Sequence, residues 1–250
     1  MDDKTGIYDF TAEPFHCDFS HHLFMGHLGN HMLNAAEFHA SARDFGMERL
    51  MPIHRTWVLS RLAIEMEEMP EENSCFKVAT WVESAMRYFT NRNFSVIDNK
   101  GKTIGYGRSI WAMIDTESRQ PADILAIDDG AIMKWIDSDT PCPIAKGSRV
   151  KMGNGARLVR TLDMYYNDID VNGHVNSVKY IEHTLDLFPL EWYETHPLKR
   201  IDIAYVAESH AGDTLNFYQE DLSPTTFNIR ITKRSEEGEQ EVCRCALTFS

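Results

Sequence analysis

Asn176-Ser177-Val178-Lys179-Tyr180-Ile181-Glu182-His183-Thr184-Leu185-Asp186-Leu187-Phe188 is the stretch from which the rest of the chain can be ordered. Its apolar residues Val178, Ile181, Leu185 and Phe188 recur at helical spacing. Asn176 or Ser177 can cap the start, and Pro189 stops the run. Upstream, residues 157–166 read as a strand, and downstream four strand-like segments follow near 199–207, 213–220, 226–233 and 240–249. Glu236-Glu237-Gly238-Glu239 is the expected hairpin turn between the last two.

The first half repeats that order. A strand near 7–19 leads to a helix near 30–45, with Ala35, Ala36, Ala40 and Ala42 along it and Gly46 as the expected stop. Strands follow near 57–66, 75–84, 88–98 and 103–115, with a hairpin turn at Asn99-Lys100-Gly101-Lys102. Gly26-His27-Leu28 echoes Gly173-His174-Val175. One strand, one helix and four strands, used twice, is an internal duplication. An apolar helix followed by a long antiparallel meander packs most economically with the sheet curled around the helix. The expected fold class is therefore α+β, a tandem (double) hotdog of two antiparallel sheets, each wrapped around a long helix. Residues 1–128 form the N-terminal hotdog, 129–152 a connector and 153–250 the C-terminal hotdog. The connector contains Pro141, Pro143 and a short helical stretch at Asp129–Trp135, and is expected to have little core of its own.

Composition bounds the function. The 250 residues carry 25 Lys+Arg against 38 Asp+Glu, a net charge of −13, with 43% hydrophobic and 11% aromatic residues. That apolar content supplies a substantial core and excludes a disordered chain. The acidic balance argues against nucleic acid as a partner. No run approaches the roughly 18–20 apolar residues that cross a bilayer, so no membrane insertion is expected. The start, Met1-Asp2-Asp3-Lys4-Thr5-Gly6, resembles neither a secretory signal nor a transit peptide. Cys17, Cys75, Cys142, Cys243 and Cys245 are sparse and odd in number, which suits a reducing, cytoplasmic location. Cys243 and Cys245 fall on one face of a strand and read as buried packing residues.

The densest polar sequence is Asn167-Asp168-Ile169-Asp170-Val171-Asn172-Gly173-His174-Val175-Asn176, directly before the second helix. Asp170, Asn172 and His174 are spaced by two, and extended backbone would point all three to one side. The following helix N-terminus offers free N–H groups. A carboxylate, an amide, an imidazole and those N–H groups could polarise a carbonyl and hold its oxyanion. A polar loop with an Asx-type turn and an N-cap is the plainer reading. Asp168-x-Asp170-x-Asn172-Gly173 also matches the opening of an EF-hand loop, but Lys179 stands where calcium needs a bidentate Glu.

Asp-x-Asn-x-His-Val-Asn-x-x-Lys-Tyr-Ile at 170–181 resembles the motif of acyl-acyl-carrier-protein thioesterases, a tandem-hotdog family of plant plastids and some bacteria. Thr56-Trp57, Thr80-Trp81, Arg92 with Phe94-Ser95, Ser109-x-Trp111-x-Met113 and Arg119-x-Pro121 carry the likeness through the first half. The family's further carboxylate, in a Tyr-x-x-Glu-Cys context, matches Tyr205-Val206-Ala207-Glu208-Ser209, with Ser209 in place of Cys. That departure counts against a cysteine nucleophile and leaves Ser209 as a secondary candidate. The resemblance implies hydrolysis of a fatty-acyl thioester on acyl carrier protein, releasing free fatty acid and ending fatty-acid synthesis. Asp170, Asn172, His174 and Glu208 would be catalytic, with Glu208 or Asp170 as base or nucleophile. Coenzyme A thioesters are the alternative substrate, and a hotdog 3-hydroxyacyl-thioester dehydratase the alternative reaction. Assembly as a homodimer is left open.

Matching Gly26-His27 to Gly173-His174 puts Leu23 and Met25 opposite Asp170 and Asn172, and the strand after each helix puts Met69 opposite Glu208. The first half is thus expected to keep the architecture without the polar set, as a structural or acyl-pocket half, with one active site per chain in the second half. His16, His21, His22, His27, His31 and His39 cluster early in the chain, and His27 and His31 are one helical turn apart. No carboxylate or Cys completes a recognisable motif there, so neither a metal nor any other cofactor is expected. Gly-x-Ser-x-Gly, Gly-x-Gly-x-x-Gly and P-loop patterns are absent. Residues 145–160 carry Lys146, Arg149, Lys151, Arg157 and Arg160 and no acid. Lys146, Arg149, Lys151 and Arg157 are candidates for docking an acidic carrier protein.

Overall fold

The computed structural model describes residues 4–147, 150–235 and 238–250. Arg149 and the Glu236-Glu237 part of the expected turn lie outside them. The chain divides into two compact units, Met1–Lys146 and Gly147–Ser250. The first holds β1 (Gly6–Thr11), α1 (Met25–Ser41), α2 (Met47–Leu50), β2 (Arg55–Met66), β3 (Cys75–Ala85), β4 (Phe89–Ile97) and β5 (Thr103–Asp115). The second holds β6 (Arg157–Asp163), α3 (Ser177–Leu185), α4 (Leu190–Tyr193), β7 (Leu198–Tyr205), β8 (Thr214–Ser223), β9 (Thr226–Ser235) and β10 (Gly238–Phe249). Within the first unit the strands run β1-β3-β4-β5-β2, and within the second β6-β8-β9-β10-β7, all antiparallel. The two orders are the same, so each unit is one copy of the hotdog plan.

Period-two burial builds each sheet's inner face. Phe227, Ile229 and Ile231 on β9 and Cys243, Cys245, Leu247 and Phe249 on β10 are buried. The Cys243 and Cys245 sulfurs lie 3.9 Å apart on that face. In the first unit, Met32 on α1 comes down onto Gly107, where an added Cβ would sit 3.1 Å from its sulfur. The α1 imidazole of His31 packs on Phe10 and Phe76 at centroid distances of 4.6 and 5.4 Å.

Three expectations need correction. The first strand ends at Thr11, because Pro14 opens a 3₁₀ turn at Pro14–His16. Helix α1 starts at Met25 and ends at Ser41, with Ala42 and not Gly46 at its C-cap. Gly26 and Gly29 weaken the helical signal of its first turns, and Phe24 gives no side-chain cap. The stretch after β5 is no loose connector. Ile124, Ile127 and Ile132 join Ala40, Phe45, Leu50 and Met113 in a core cluster, although Asp128, Asp129 and Gly130 break the 3₁₀ run with positive φ. Cys142 and Ile144 pack on Trp81. Among the described residues, no helix is long and apolar enough to cross a membrane.

His39, on α1, is 1% exposed, and its Nε2 bonds the Lys4 carbonyl at 2.9 Å. Burial, helped by the Arg92 guanidinium, lowers its pKa from 6.5 to about 3. The native ring is therefore neutral where an unfolded histidine takes up a proton. Its contribution to stability is complete above pH 6.5 and is lost as the pH falls toward 3. The slope approaches about 1.4 kcal/mol per pH unit inside that window. His39→Gln, which keeps a donor for Lys4, should flatten urea-derived stability between about pH 6.5 and 4.5. An unchanged slope in that variant would assign the acid sensitivity elsewhere.

Candidate active site

The polar stretch before α3 is a tight turn and not an extended segment. A 3₁₀ turn at Tyr166–Asp168 leads into an antiparallel bridge between Ile169 and Val175. Inside it, Asp170 N–H donates to the His174 carbonyl at 2.8 Å and Gly173 N–H to the Asp170 carbonyl at 3.0 Å. The Asp170 carboxylate turns back and accepts from Asn172 N–H (2.8 Å) and His174 N–H (3.2 Å) through one oxygen. Gly173 sits at φ +81° with open space around it, so the turn itself asks for glycine there. The period-two argument therefore fails for Asp170. A side-chain bond to the local backbone outcompetes extended geometry.

The turn is tied down at both ends. The Asp168 carboxylate accepts from Tyr165 N–H at 2.9 Å and meets His183 Nε2 on α3 at 2.9 Å. Asn176 N–H reaches the Asp168 carbonyl at 2.8 Å, and the Asn176 side chain caps α3 by accepting from Val178 N–H at 3.0 Å. Lys179 N–H is bonded to the Asn176 carbonyl as well, so the expected oxyanion donors narrow to the remaining first-turn amides. Val175 N–H donates to the Ser209 carbonyl at 2.7 Å, fastening the turn to the segment after β7.

That last bond brings the chemistry together. His174 Nε2 lies 3.3 Å from Glu208 Oε2, with side chains 26% and 36% exposed. The His210 ring stands edge-on to His174 at 5.1 Å. One ligand atom from each of His174, Glu208 and His210 lies within 4.8 Å of the others, close enough to hold a cation. Lys233 Nζ braces this segment by donating to the Glu208 carbonyl (2.7 Å) and to Asp213 (3.1 Å). Asn172 is exposed, and its side-chain carboxamide makes no hydrogen bond among the described residues. Ser209 is fully buried, unlike the partly exposed pair. Sequence reasoning singled out neither His210 nor the Asp168–His183 pair; the only local signal for His210 is its position two residues after Glu208.

The first unit carries the same turn. Asp18 N–H donates to the His22 carbonyl (2.8 Å), His21 N–H to the Asp18 carbonyl (3.0 Å), and Leu23 N–H to the Pro70 carbonyl (2.9 Å). The Asp18 carboxylate accepts from Ser20 N–H (2.8 Å) and His22 N–H (3.3 Å). His21 takes the positive φ, at +62°, that Gly173 takes in the second unit. These bonds pair Asp18 with Asp170, Ser20 with Asn172 and His22 with His174, and they pair Met69 with Glu208. The expectation that the first half lacks the polar set is thereby overturned. The Gly-His echo had set the register five residues off, and the first half departs chiefly at Met69.

Among the docking candidates, Lys146, Lys151 and Arg157 are exposed. Arg157 pairs with Asp221 at 3.0 Å and Arg160 with Asp186 at 3.5 Å, so part of the basic window is already neutralised.

The family model described as the acyl-ACP thioesterase N-terminal domain matches residues 8–128, and the corresponding C-terminal domain matches 154–250. The chain is 29% identical over 167 residues to a chloroplastic acyl-[acyl-carrier-protein] hydrolase of Cuphea viscosissima, covering 64% of this chain and 39% of that protein. It is 31% identical over 157 residues to a chloroplastic palmitoyl-acyl carrier protein thioesterase of Arabidopsis thaliana, covering 61% and 38%. It thus spans well under half the length of these curated relatives. The crystal structure of an acyl-ACP thioesterase from Bacteroides thetaiotaomicron is 51% identical and superposes with a TM-score of 0.92, over 99% of this chain and 98% of that one. The 12:0-ACP thioesterase from Umbellularia californica, 20% identical with a TM-score of 0.84 over 100% and 98%, shares the fold.

The Asp168 carboxylate serves two partners in a buried position. Asp168→Ala should cost about 2–3 kcal/mol in urea unfolding, because it strands His183 and the Tyr165 amide together. Asp168→Asn should recover part of that loss. A variant within about 0.5 kcal/mol of the parent would mean that the turn holds without this carboxylate.

Proposed function

Because the chain belongs to the acyl-ACP thioesterase family, we propose that it hydrolyses fatty-acyl thioesters on acyl carrier protein, releasing free fatty acid and the carrier thiol. The observation that carries this reading is the His174 Nε2–Glu208 Oε2 pair at 3.3 Å, half open to solvent beside the N-terminus of α3. A carboxylate next to an imidazole can take a proton from water while the ring holds the acceptor oxygen or the water in line. The water oxygen then bonds the acyl carbon, the C–S bond breaks, and the sulfur leaves as a thiol once protonated. Glu208 serves as base or nucleophile, and His174 orients. Asp170 acts through the turn that presents His174, and exposed Asn172 is placed to meet substrate at that turn. The reaction ends acyl-chain elongation, in a reducing cytoplasm where all five cysteines stay as thiols.

Purified protein incubated with acyl carrier proteins of graded chain length should release free acid, and the matching coenzyme A esters should be poorer substrates. His174→Ala and Glu208→Gln should each lower kcat by roughly 100-fold or more with cooperative unfolding preserved. Near-normal turnover in a folded Glu208→Gln would remove that carboxylate from the mechanism.

Carrier docking has its own signature. Lys151 is exposed and has no acidic partner among the described residues. Lys151→Glu should raise KM for acyl carrier protein severalfold at low salt, less so near about 0.5 M, where charges are screened within several Å. Hydrolysis of a small soluble thioester should be spared. Equal loss on both substrates would place docking elsewhere.

A further inference from the structure

The register that pairs the two turns also pairs His16 with Asp168 and His31 with His183. In the second unit these positions satisfy each other, His183 Nε2 to Asp168 Oδ1 at 2.9 Å. In the first unit the carboxylate has become an imidazole, and a carboxylate returns from Glu13, one turn earlier. One ligand atom from each of Glu13, His16 and His31 lies within 4.8 Å of the others. Glu13 Oε2 and His16 Nδ1 already meet at 3.1 Å. His31 is gripped by Phe10 and Phe76, and both its ring nitrogens are buried without a hydrogen-bond partner among the described residues. Buried polar atoms in folded proteins rarely stay unpaired. The His16 ring, in turn, is stacked on His27 at 4.0 Å.

We propose that Glu13, His16 and His31 form a binding site for a borderline divalent transition ion, with Zn²⁺ the best fit. Two imidazoles and one carboxylate are a zinc donor set, and water completes the fourth position. Calcium and magnesium want oxygen ligands in greater number, so two nitrogens select against them. Tetrahedral zinc places its ligand atoms about 3.3 Å apart. Glu13 and His16 already meet that spacing, so closing on the ion asks at most about 1.5 Å of movement toward His31, which the two residues, on the solvent side, can supply while His31 stays fixed in α1. The ion would clamp the Pro14–His16 turn to the helix, doing for the first unit what the Asp168–His183 pair does for the second.

The test is calorimetric titration of the EDTA-treated full chain with Zn²⁺ alone. The expected result is one tight site per chain, with Tm raised by roughly 5–10 °C at zinc about 100-fold above Kd. His31→Gln should abolish that site. His16→Ala, at a part-exposed ring, should weaken it by more than roughly 100-fold, since a direct ligand counts for more than the outer-shell partners whose loss costs up to that much. Glu208→Gln should leave it unchanged, which separates it from the His174–Glu208–His210 group. Cobalt alone should give visible d–d absorption in the parent that disappears in His16→Ala. Absence of a tight site in the parent, or a site that survives His16→Ala but is lost in Glu208→Gln, overturns the proposal.

Discussion

One carboxylate oxygen that accepts two backbone amides sets the geometry on which the candidate site depends. Asp170 fixes Asn172 N–H and His174 N–H together, and so decides where the chain reverses, where α3 begins and where the His174 side chain leaves the backbone. Without that oxygen the part-buried His174 amide would lose its acceptor, while the exposed Asn172 amide would turn to water. The Val175–Ser209 backbone bond then transmits the constraint to the segment holding Glu208. His174 and Glu208, remote in sequence, face each other because this chain of hydrogen bonds leaves them little freedom to do otherwise. Preorganisation of that kind is what the proposed hydrolysis requires, since a proton-accepting pair is useful only where the water and the acyl carbon arrive.

The first unit builds the same turn from Asp18, and the comparison separates what the fold needs from what the chemistry needs. A carboxylate that binds its own backbone recurs in both units, so its presence is explained by structure before any role in catalysis. The imidazole recurs too, but His22 is turned back onto Ser20, its Nδ1 2.8 Å from the Ser20 carbonyl. Across the turn Met69 stands where Glu208 stands, and a thioether can neither take a proton from water nor hold an imidazolium. One side chain at the end of a strand thus accounts for the proposed assignment of activity to the second unit. The family match covers both units and does not distinguish them.

Much of the fold was legible because its signals are local. Period-two patterning and glycine turns placed seven of the strands within about two residues, and Asn176 marked the start of α3 by the capping bond it makes. The start of α1 was hidden by Gly26, Gly29 and an uncapped Phe24. The polar turn is not legible from spacing for a physical reason: three polar residues spaced by two share a face only if the backbone is extended, and an aspartate two residues before an amide competes with that geometry. The register between the halves escapes the sequence because Gly-His is a chemical likeness, whereas the true register is written in hydrogen bonds. His210, and the closure of Asp168 on His183, are contacts between distant segments, and no local pattern encodes them.

What the duplicated helices share is a demand and not a solution. Both carry a histidine at the same helical position, partly buried, and a buried ring nitrogen has to find a partner or cost stability. The second unit answers with Asp168, whose other oxygen also holds the Tyr165 amide, so one residue closes both the helix and the turn. In the first unit that aspartate has become His16, which cannot supply two acceptor oxygens, and the negative charge has moved to Glu13. The Pro14–His16 turn survives in the same place, so the loss of the acceptor was tolerated without a change of fold. A histidine held between Phe10 and Phe76, with a second imidazole and a carboxylate within reach, has in place of a self-contained ion pair the donor set of the proposed zinc site. Divergence between the halves is therefore bounded less by packing, which both retain, than by how each satisfies the polar groups its common architecture buries.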